Sequence, residues 1–294
     1  MNVAMYVIRE ILVNLIGYKL RLRRLLGRGV INNVTGNLEM DLKDKGQKHN
    51  ELINTIINDF GLSGIEKNRM LEMGPGGTLL HGLVSILDDW KEYIAVDAFP
   101  SAVWSGYPMS LYERYAKSLP RGDADVARQV IESSKRKEGS IKYYGSDGLE
   151  NKQLNNYIKP ATVDLIYSWG VLEHIKEPEK VFQDNFRLLD DKGVAIHIVD
   201  THPHTWSRFK NPYWFLTIPE WLWKIMYGGR GFINRYRASS YIDWAKQAGF
   251  KVDIYKKEIS ECKLEGLKEK FIKQYRDASD EEILTDRLYM VLTK

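Results

Sequence analysis

A chain of 294 residues with 44% hydrophobic and 28% charged residues has the composition of a folded protein, which excludes a mostly disordered one. Its single cysteine excludes an intramolecular disulfide and a cysteine-based zinc cluster, as expected for a reducing compartment. The net charge of +4 is local, because residues 1–30 contain six basic residues against Glu10 alone, so no nucleic-acid partner is predicted.

Residues 1–30 predict an amphipathic basic helix, because apolar residues recur at helical spacing and arginines gather in the second half. Charges interrupt the segment too often for a membrane span, and it lacks the pattern of a signal peptide. It suits a membrane interface, with its arginines at anionic headgroups. The alternative is a helix that packs on its own domain or on a second copy of the chain in a homodimer. We delimit this helix and its linker as residues 1–47 and a single domain as residues 48–294.

The first strand predicted in that domain contains an acid, Glu72, and breaks into a glycine loop with Gly74, Gly76 and Gly77. Glycines let the backbone approach a ligand closely and adopt positive φ, so the loop predicts a cofactor site. The third glycine of a dinucleotide fingerprint is replaced by Leu79, and the lysine of a P-loop is missing. The loop therefore departs from both the dinucleotide and the P-loop patterns of phosphate binding.

Three further strands are predicted, each followed by polar residues. The second, at residues 93–97, ends in Asp97, and the third runs into a turn that contains Asp147. The fourth begins at Val163 and leads into the sequence Val-Leu-Glu-His-Ile at 171–175. Acids at strand ends are suited to contacts with a nucleoside.

In this order, the four motifs resemble those of the S-adenosylmethionine-dependent methyltransferases with a Rossmann-like fold (class I). The resemblance covers about residues 48–200 and resumes near residue 239. It implies an α/β fold with a seven-stranded, mostly parallel sheet, an antiparallel last strand and helices on both faces. It also implies S-adenosyl-L-methionine as cofactor, bound at its amino-acid end by Glu72, at its ribose by Asp97 and at its adenine by Asp147. The other implied cofactor contacts are Gly74, Gly76, Gly77, Gly148 and Ser168.

A turn is predicted at residues 191–193, followed by a fifth strand at residues 194–200. Acceptor activation is predicted at the carboxyl edge of the fourth and fifth strands, where ligands of open α/β sheets bind. A hydroxyl acceptor has a high pKa and gains from a positioned base such as histidine. The resemblance implies a catalytic pair at Glu173 and His174, although some family members use this pair for helix capping instead. Asp200 and His202 follow the fifth strand and are the other candidates. No metal is predicted, because methyl transfer needs none and Pro203 restricts how neighbouring histidines could reach one ion.

Residues 201–238 are rich in aromatic side chains, which predicts either a lid that binds the acceptor or the core of a small helical cap. His204 and Trp206 are its predicted acceptor contacts. The sequence Asn-Arg-Tyr-Arg near its end resembles methyltransferases associated with bacterial surface-polysaccharide gene clusters. That resemblance implies that Arg235 and Arg237 bind an anionic sugar through bidentate pairs, the alternative being salt bridges that hold the insert.

The sequence thus predicts a cytoplasmic methyltransferase, peripheral at the inner membrane face, that methylates an oxygen of a sugar or glycolipid precursor in polysaccharide biosynthesis. One alternative is N- or C-methylation of a lipid, quinone or other small molecule. A second alternative is a scaffold subunit that binds the cofactor without catalysing methyl transfer.

Overall fold

The computed structural model describes residues 3–19, 46–76, 78–97, 113, 116–117, 124–135, 139–145, 158–202, 209, 211–227 and 233–294. The strands are β1 (Arg69–Met73), β2 (Glu92–Asp97), β3 (Ile141–Gly145), β4 (Val163–Trp169), β5 (Leu189–Asp200), β6 (Lys251–Ile259) and β7 (Thr285–Thr293). The α-helices are α1 (Val3–Lys19), α2 (Lys48–Asp59), α3 (Leu80–Leu87), α4 (Ala124–Lys135), α5 (Pro178–Leu188), α6 (Glu220–Tyr227), α7 (Ala238–Gln247), α8 (Lys273–Arg276) and α9 (Asp280–Leu284).

All seven strands form one sheet in the order β3-β2-β1-β4-β5-β7-β6. Neighbouring strands from β3 to β5 are parallel, whereas β7 is antiparallel to both β5 and β6. The order reverses between β1 and β4, so their carboxyl ends border the crevice in which open α/β sheets bind ligands. The predicted mostly parallel sheet with an antiparallel last strand is confirmed.

Helices cover both faces of the sheet, which explains why β1, β2 and β4 are apolar almost throughout rather than alternating. On one face, α2, α3 and α4 contribute the buried residues Ile53, Leu83 and Ile131. On the other face, α5 and α7 contribute Phe182 and Tyr241. The sheet is therefore buried on both sides, and side chains at its carboxyl edge are held in fixed positions.

A third apolar core lies apart from the two sheet faces. It combines aromatic residues of 209–227 with residues of 264–283 and with the inner face of α1. Tyr6 and Val7 of α1 are buried in it, and the hydroxyl groups of Tyr6 and Tyr227 are 3.0 Å apart. The packing alternative for the N-terminal helix is therefore realised on this inner face.

The structure corrects one boundary. A turn was expected at residues 191–193, but β5 already begins at Leu189, because the chain pairs with the start of β4 through a register shift between Val163 and Leu165. Within the described part of the chain, no helix combines the length and hydropathy that a membrane span requires.

Candidate active site

The glycine loop after β1 is built by two left-handed residues. Gly74 and Gly76 have φ values of 67° and 72°, and the Gly74 amide donates to the Val96 carbonyl at 2.8 Å. A Cβ at Gly74 would lie 2.5 Å from Cγ2 of Val171, whereas a Cβ at Gly76 would meet none of the described residues within 4 Å. Packing therefore demands glycine at the first position, and the positive φ of the second favours glycine there. Gly77 lies outside the described residues.

Asp97 lies beside this loop at the end of β2. Met73, which precedes the loop, is in register with Val96, and Asp97 is itself in register with Gly145 of β3. A half-buried carboxylate at this edge suits the hydroxyl groups of a ribose. The glycine loop and the acid on the next strand fit the cofactor that the sequence predicts. Asp147 and Gly148 lie outside the described residues.

The Glu72 carboxylate is buried and is engaged by side chains of the chain itself. Nδ1 of His81 lies 2.9 Å from Oε2, to which the Tyr93 hydroxyl also donates, and Nδ1 of His49 lies 4.0 Å from Oε1. Burial raises the pKa of Glu72, but His81, His49 and Tyr93 outweigh it, and the net pKa is below its usual value. Contact between Glu72 and the cofactor remains a prediction, and it would require one of these interactions to be exchanged.

Ser168, a predicted cofactor contact, has its side chain engaged within the protein, and its contact with the cofactor remains a prediction. Its fully buried hydroxyl lies 2.7 Å from Nδ1 of His197, and Nδ2 of Asn185 on α5 lies 3.1 Å from the other imidazole nitrogen. Burial lowers the pKa of His197 to about 3, so this imidazole is neutral. The Ser168 side chain therefore belongs to a buried polar network under α5.

Two carboxyl groups flank Gly170, the residue that follows β4. A Cβ on Gly170 would lie 3.5 Å from Oε1 of Glu173 and 3.9 Å from Oδ2 of Asp200, which ends β5. The carboxyl pair of Glu173 and Asp200 therefore lies at the carboxyl edge of the sheet. Gly170 lies beside both carboxyl groups, and the next residue, Val171, contacts the glycine loop at Gly74.

Glu173 has an unusual environment for a carboxyl group. Only 3% of its surface is exposed, and neither oxygen makes a hydrogen bond of normal geometry with any described residue. Burial and the negative charge of Asp200 raise its pKa well above the usual value, and nearby backbone amides and Arg287 offset this only in part. Glu173 therefore keeps its proton at a pH where an ordinary glutamate has lost it.

Asp200 is fixed by Arg287 of β7, a residue that the sequence analysis did not identify. Nε of Arg287 donates to Oδ1 of Asp200, while Nη1 donates to Glu258 at 3.0 Å. The guanidinium also lies 5.9 Å from the ring centroid of Trp169, which stacks on His49. One carboxylate oxygen of Asp200 is thus held by Arg287, and the other lies toward Gly170.

The histidines predicted at this edge have different positions. His174 is exposed, in the same short 3-10 turn as the buried Glu173. His202 is half-buried with its ring centroid 5.9 Å from that of Tyr213. Their catalytic roles remain predictions. His204 and Trp206 lie outside the described residues.

The two arginines predicted to bind an anionic sugar are both buried and donate hydrogen bonds to the chain itself. Arg235 donates to the carbonyl oxygens of Phe215 and Ile218 and pairs with Glu220. Arg237 donates to the carbonyl oxygens of Thr201, Glu282, Ile283 and Thr285. Both therefore hold the insert in place, mainly through carbonyl oxygens rather than carboxylates, and their contact with an acceptor remains a prediction.

A family model described as "Methyltransferase domain" matches residues 46–254 of the chain. This match includes the glycine loop, Asp97 and the carboxyl pair. No curated protein sequence matches the chain.

Several solved structures have a similar fold at low identity. Phosphoethanolamine N-methyltransferase 2 of Haemonchus contortus, in complex with phosphomonomethylethanolamine and S-adenosylhomocysteine, is 16% identical; the match covers 77% of this chain and 49% of that one, with a TM-score of 0.39. An arsenic(III) S-adenosylmethionine methyltransferase of Chlamydomonas reinhardtii is 14% identical over 78% and 63% of the chains, with a TM-score of 0.42. YcgJ of Bacillus subtilis is 13% identical over 80% and 94%, with a TM-score of 0.40. The chain spans about half the length of the first similar structures, at 48% and 49%.

Proposed function

This chain belongs to the methyltransferase domain family, and on that premise we propose that it methylates a hydroxyl oxygen of a sugar or glycolipid precursor. We propose S-adenosyl-L-methionine as its methyl donor. The acceptor and the residues that activate it are the subject of the proposal.

The observation that carries the proposal is the buried Glu173 carboxyl. Burying a polar group without a hydrogen bond costs free energy, yet both oxygens of Glu173 lack a partner among the described residues. An acceptor hydroxyl at Gly170, between Glu173 and Asp200, would supply the missing hydrogen bond. The same hydroxyl would lie next to the glycine loop, where the cofactor is proposed to bind.

For methyl transfer the protein mainly has to align the acceptor with the methyl donor and remove a proton. S-adenosyl-L-methionine, when bound, supplies an activated methyl group on a sulfonium. Burial and the charge of Asp200 raise the pKa of Glu173, while Arg287 pairs with Asp200. The Asp200 carboxylate would take the hydroxyl proton as the oxygen–carbon bond forms and the carbon–sulfur bond breaks, and Glu173 would hold the acceptor oxygen through a hydrogen bond. Gly74 and Gly76 hold the loop that orients the donor.

The electrostatics of Glu173 favour a hydroxyl over the alternative of a cationic amine. An amine acceptor that carries a charge would be attracted by an ionised glutamate. Burial beside Asp200 instead raises the pKa of Glu173 and favours its neutral form. A neutral acceptor of high pKa, which must lose a proton as it reacts, gains more from this pair.

A membrane-bound precursor is supported by the outer face of α1. Met5, Ile8 and Leu12 are 64%, 54% and 50% exposed and follow one another at helical spacing. The helix α6, against which α1 packs, exposes Trp221 and Ile225 as well. With the basic excess of residues 1–30, this stripe suits the surface of an anionic membrane, and we propose that the protein acts at its cytoplasmic face.

The biosynthetic setting and the oligomeric state are further parts of the proposal. The association with polysaccharide biosynthesis depends on the resemblance of residues 234–237, whose arginines have structural roles here. A homodimer, with the exposed stripe of α1 covered by a second copy, is the alternative to membrane contact.

The experiment is transfer of a labelled methyl group from S-adenosyl-L-methionine by the purified full-length chain into an extract of the cells that make it. The extract is then separated into glycan and glycolipid, other lipid, protein and small-molecule fractions. Label in the glycan and glycolipid fraction supports the proposal. Label confined to another fraction contradicts the proposed acceptor, and no label despite measured cofactor binding favours the scaffold subunit.

A further inference from the structure

The buried cluster of His49, Glu72 and His81 joins three elements under the glycine loop. His49 is in the first turn of α2, Glu72 is in β1, and His81 is in the first turn of α3. None of these side chains belongs to the carboxyl pair at Gly170. We call these three residues the His-Glu-His cluster.

The ligand atoms of the cluster converge on one space. One imidazole nitrogen from each histidine and one oxygen of Glu72 all lie within 4.8 Å of one another. The two imidazole rings have centroids 5.3 Å apart and are inclined by 74°, so they do not stack. Glu72 presents its two oxygens to different histidines, at 2.9 Å for His81 and 4.0 Å for His49.

The charge of Glu72 lacks a permanent cation. It is 3% exposed, and the ion pairs it forms among the described residues are with the two histidines, not with lysine or arginine. A buried carboxylate is costly unless a positive charge compensates it.

Two buried polar atoms beside the cluster also lack partners. Nε2 of His81 and the hydroxyl of Tyr167 make no hydrogen bond with any part of the chain that the structure describes. Tyr167 is in register with Glu72, and its ring packs edge-on against both imidazoles, with centroids 5.3 and 5.6 Å away. Unpaired buried polar atoms on two residues indicate that a polar species binds beside them.

We propose that the His-Glu-His cluster binds one divalent transition-metal ion, of which Zn²⁺ is the best fit. Two imidazoles and a carboxylate are a known ligand set for Zn²⁺, and a water completes four-coordination. Tyr167 is placed to hydrogen-bond that water. The ion compensates the charge of Glu72.

The geometry requires a modest closure. Ligands at about 2.0–2.2 Å from a tetrahedral zinc lie about 3.4 Å from one another. The widest separation in the cluster is within 4.8 Å, so the side chains approach by up to roughly 1.4 Å on binding. His49 is the most exposed ligand, with 14% of its side chain accessible, and rotation of this imidazole provides most of the movement.

The ion would fasten α2 and α3 to β1 around the cofactor loop. This role differs from proton removal, because the carboxyl pair at Gly170 is not part of the cluster. Metal binding is measured on the purified chain without cofactor or acceptor, so its outcome is distinguished from that of the methyl-transfer assay.

The test uses the purified full-length chain after treatment with a chelator and removal of the chelator. We expect calorimetric titration with Zn²⁺ to give one equivalent per chain, and Co²⁺ to give the visible absorption of a four-coordinate site. The thermal unfolding temperature should rise with Zn²⁺ and not with Mg²⁺, because Mg²⁺ prefers six oxygen ligands. No binding by the unaltered chain would overturn the proposal.

Variants locate the site. His49→Gln and His81→Gln should each weaken Zn²⁺ binding more than about 100-fold, since loss of an outer-shell partner alone costs about 10–100-fold. His49→Gln changes the least buried ligand and keeps the test decisive if His81→Gln fails to fold. Cys262→Ser is the control for adventitious binding and should retain full affinity. Unchanged affinity in His49→Gln, or lost affinity in Cys262→Ser, would contradict the assignment.

Discussion

Glu173 is the side chain on which the proposed chemistry depends most, because its burial shapes both stability and reactivity. In the unfolded chain a glutamate titrates near pH 4.3. In the folded chain, burial and Asp200 raise the pKa of Glu173 well above that value. Between these two pKa values the folded state binds more protons than the unfolded state, so the free energy of unfolding falls as pH rises through the window.

Glu173→Gln should remove this pH dependence. Glutamine keeps the size of the side chain but does not ionise. The free energy of unfolding of the variant, relative to that of the unaltered chain, should therefore grow as pH rises from about 4.3 and level off above the native pKa of Glu173. Urea unfolding of both proteins at several pH values measures the difference. A constant difference across that range would show that the pKa of Glu173 is ordinary.

The same substitution should impair turnover more than cofactor affinity. General acid–base groups typically contribute about 10²–10⁴-fold, so we expect Glu173→Gln to lower kcat by at least about 10²-fold. The affinity for S-adenosylhomocysteine, measured by calorimetry, should stay within a few-fold. His174→Gln is the comparison that separates the two neighbours in this turn. A large loss in His174→Gln with an active Glu173→Gln would make the exposed histidine the base.

Asp97 tests the cofactor site at the residue scale. If its carboxylate accepts from ribose hydroxyls, Asp97→Ala leaves those hydroxyls unpaired and should weaken S-adenosylhomocysteine binding by about 1–3 kcal/mol. Calorimetric titration measures the change, with Asp125→Ala on the exposed start of α4 as the control. Equal affinities for Asp97→Ala and the control would remove Asp97 from the site.

At the scale of elements, Arg237 holds together the segments that enclose the carboxyl edge. Its guanidinium connects the start of α7 to Thr201 after β5 and to the carbonyl oxygens at the junction of α9 and β7. These carbonyl oxygens are buried and belong to segments far apart in sequence. Arg237 therefore fixes the positions of these segments relative to one another.

Arg237→Gln should destabilise the fold by at least about 3 kcal/mol, because each hydrogen bond to a charged group contributes about 1.5–3 kcal/mol and several carbonyl oxygens lose their donor. Denaturant unfolding measures this loss. Lys246→Gln, on the exposed side of α7, is the matched control and should change stability by less than about 0.5 kcal/mol. A similarly small effect in both variants would show that Arg237 is not needed for stability and would support its predicted role in acceptor binding.

The elements also show what the sequence could predict. The strands that carry Glu72 and Asp97, and the strand that leads to Glu173, could be predicted because buried parallel strands are apolar runs that end in polar turns. Arg287 could not be found, because its partner Asp200 is 87 positions away and the two meet only through the antiparallel pairing of β5 and β7. The contacts of Ser168 and Arg237 within the protein could not be predicted either, since a motif gives a residue's position but not the direction of its side chain.

At the scale of the whole molecule, α1 presents two different apolar faces. Tyr6 and Val7 pack into the third core, while Met5, Ile8 and Leu12 remain exposed. Packing alone explains the first face and leaves the second unexplained. Contact with an anionic membrane, assisted by the basic residues of 1–30, accounts for both.

Replacing Met5, Ile8 and Leu12 together by glutamine should abolish binding to vesicles that contain anionic lipid while leaving the fold intact, because these side chains are outside the third core. Vesicle sedimentation measures binding, and circular dichroism checks the fold. Val126→Gln, at an exposed apolar position on α4, is the control. Unchanged vesicle binding, or a change from dimer to monomer without any vesicle binding by the parent chain, would favour the packing alternative.

The central claim is methylation of a hydroxyl oxygen, and the structure of the product tests it most directly. The purified chain is supplied with S-adenosyl-L-methionine carrying ¹³C in its methyl group and with the cell fraction that takes up label. Mass spectrometry then identifies the methylated molecule, and the ¹³C NMR shift identifies the methylated atom. We predict a methyl ether on a sugar residue of a glycan or glycolipid. A methyl group on nitrogen or carbon would contradict the assignment of Glu173 and Asp200 as the pair that takes a hydroxyl proton.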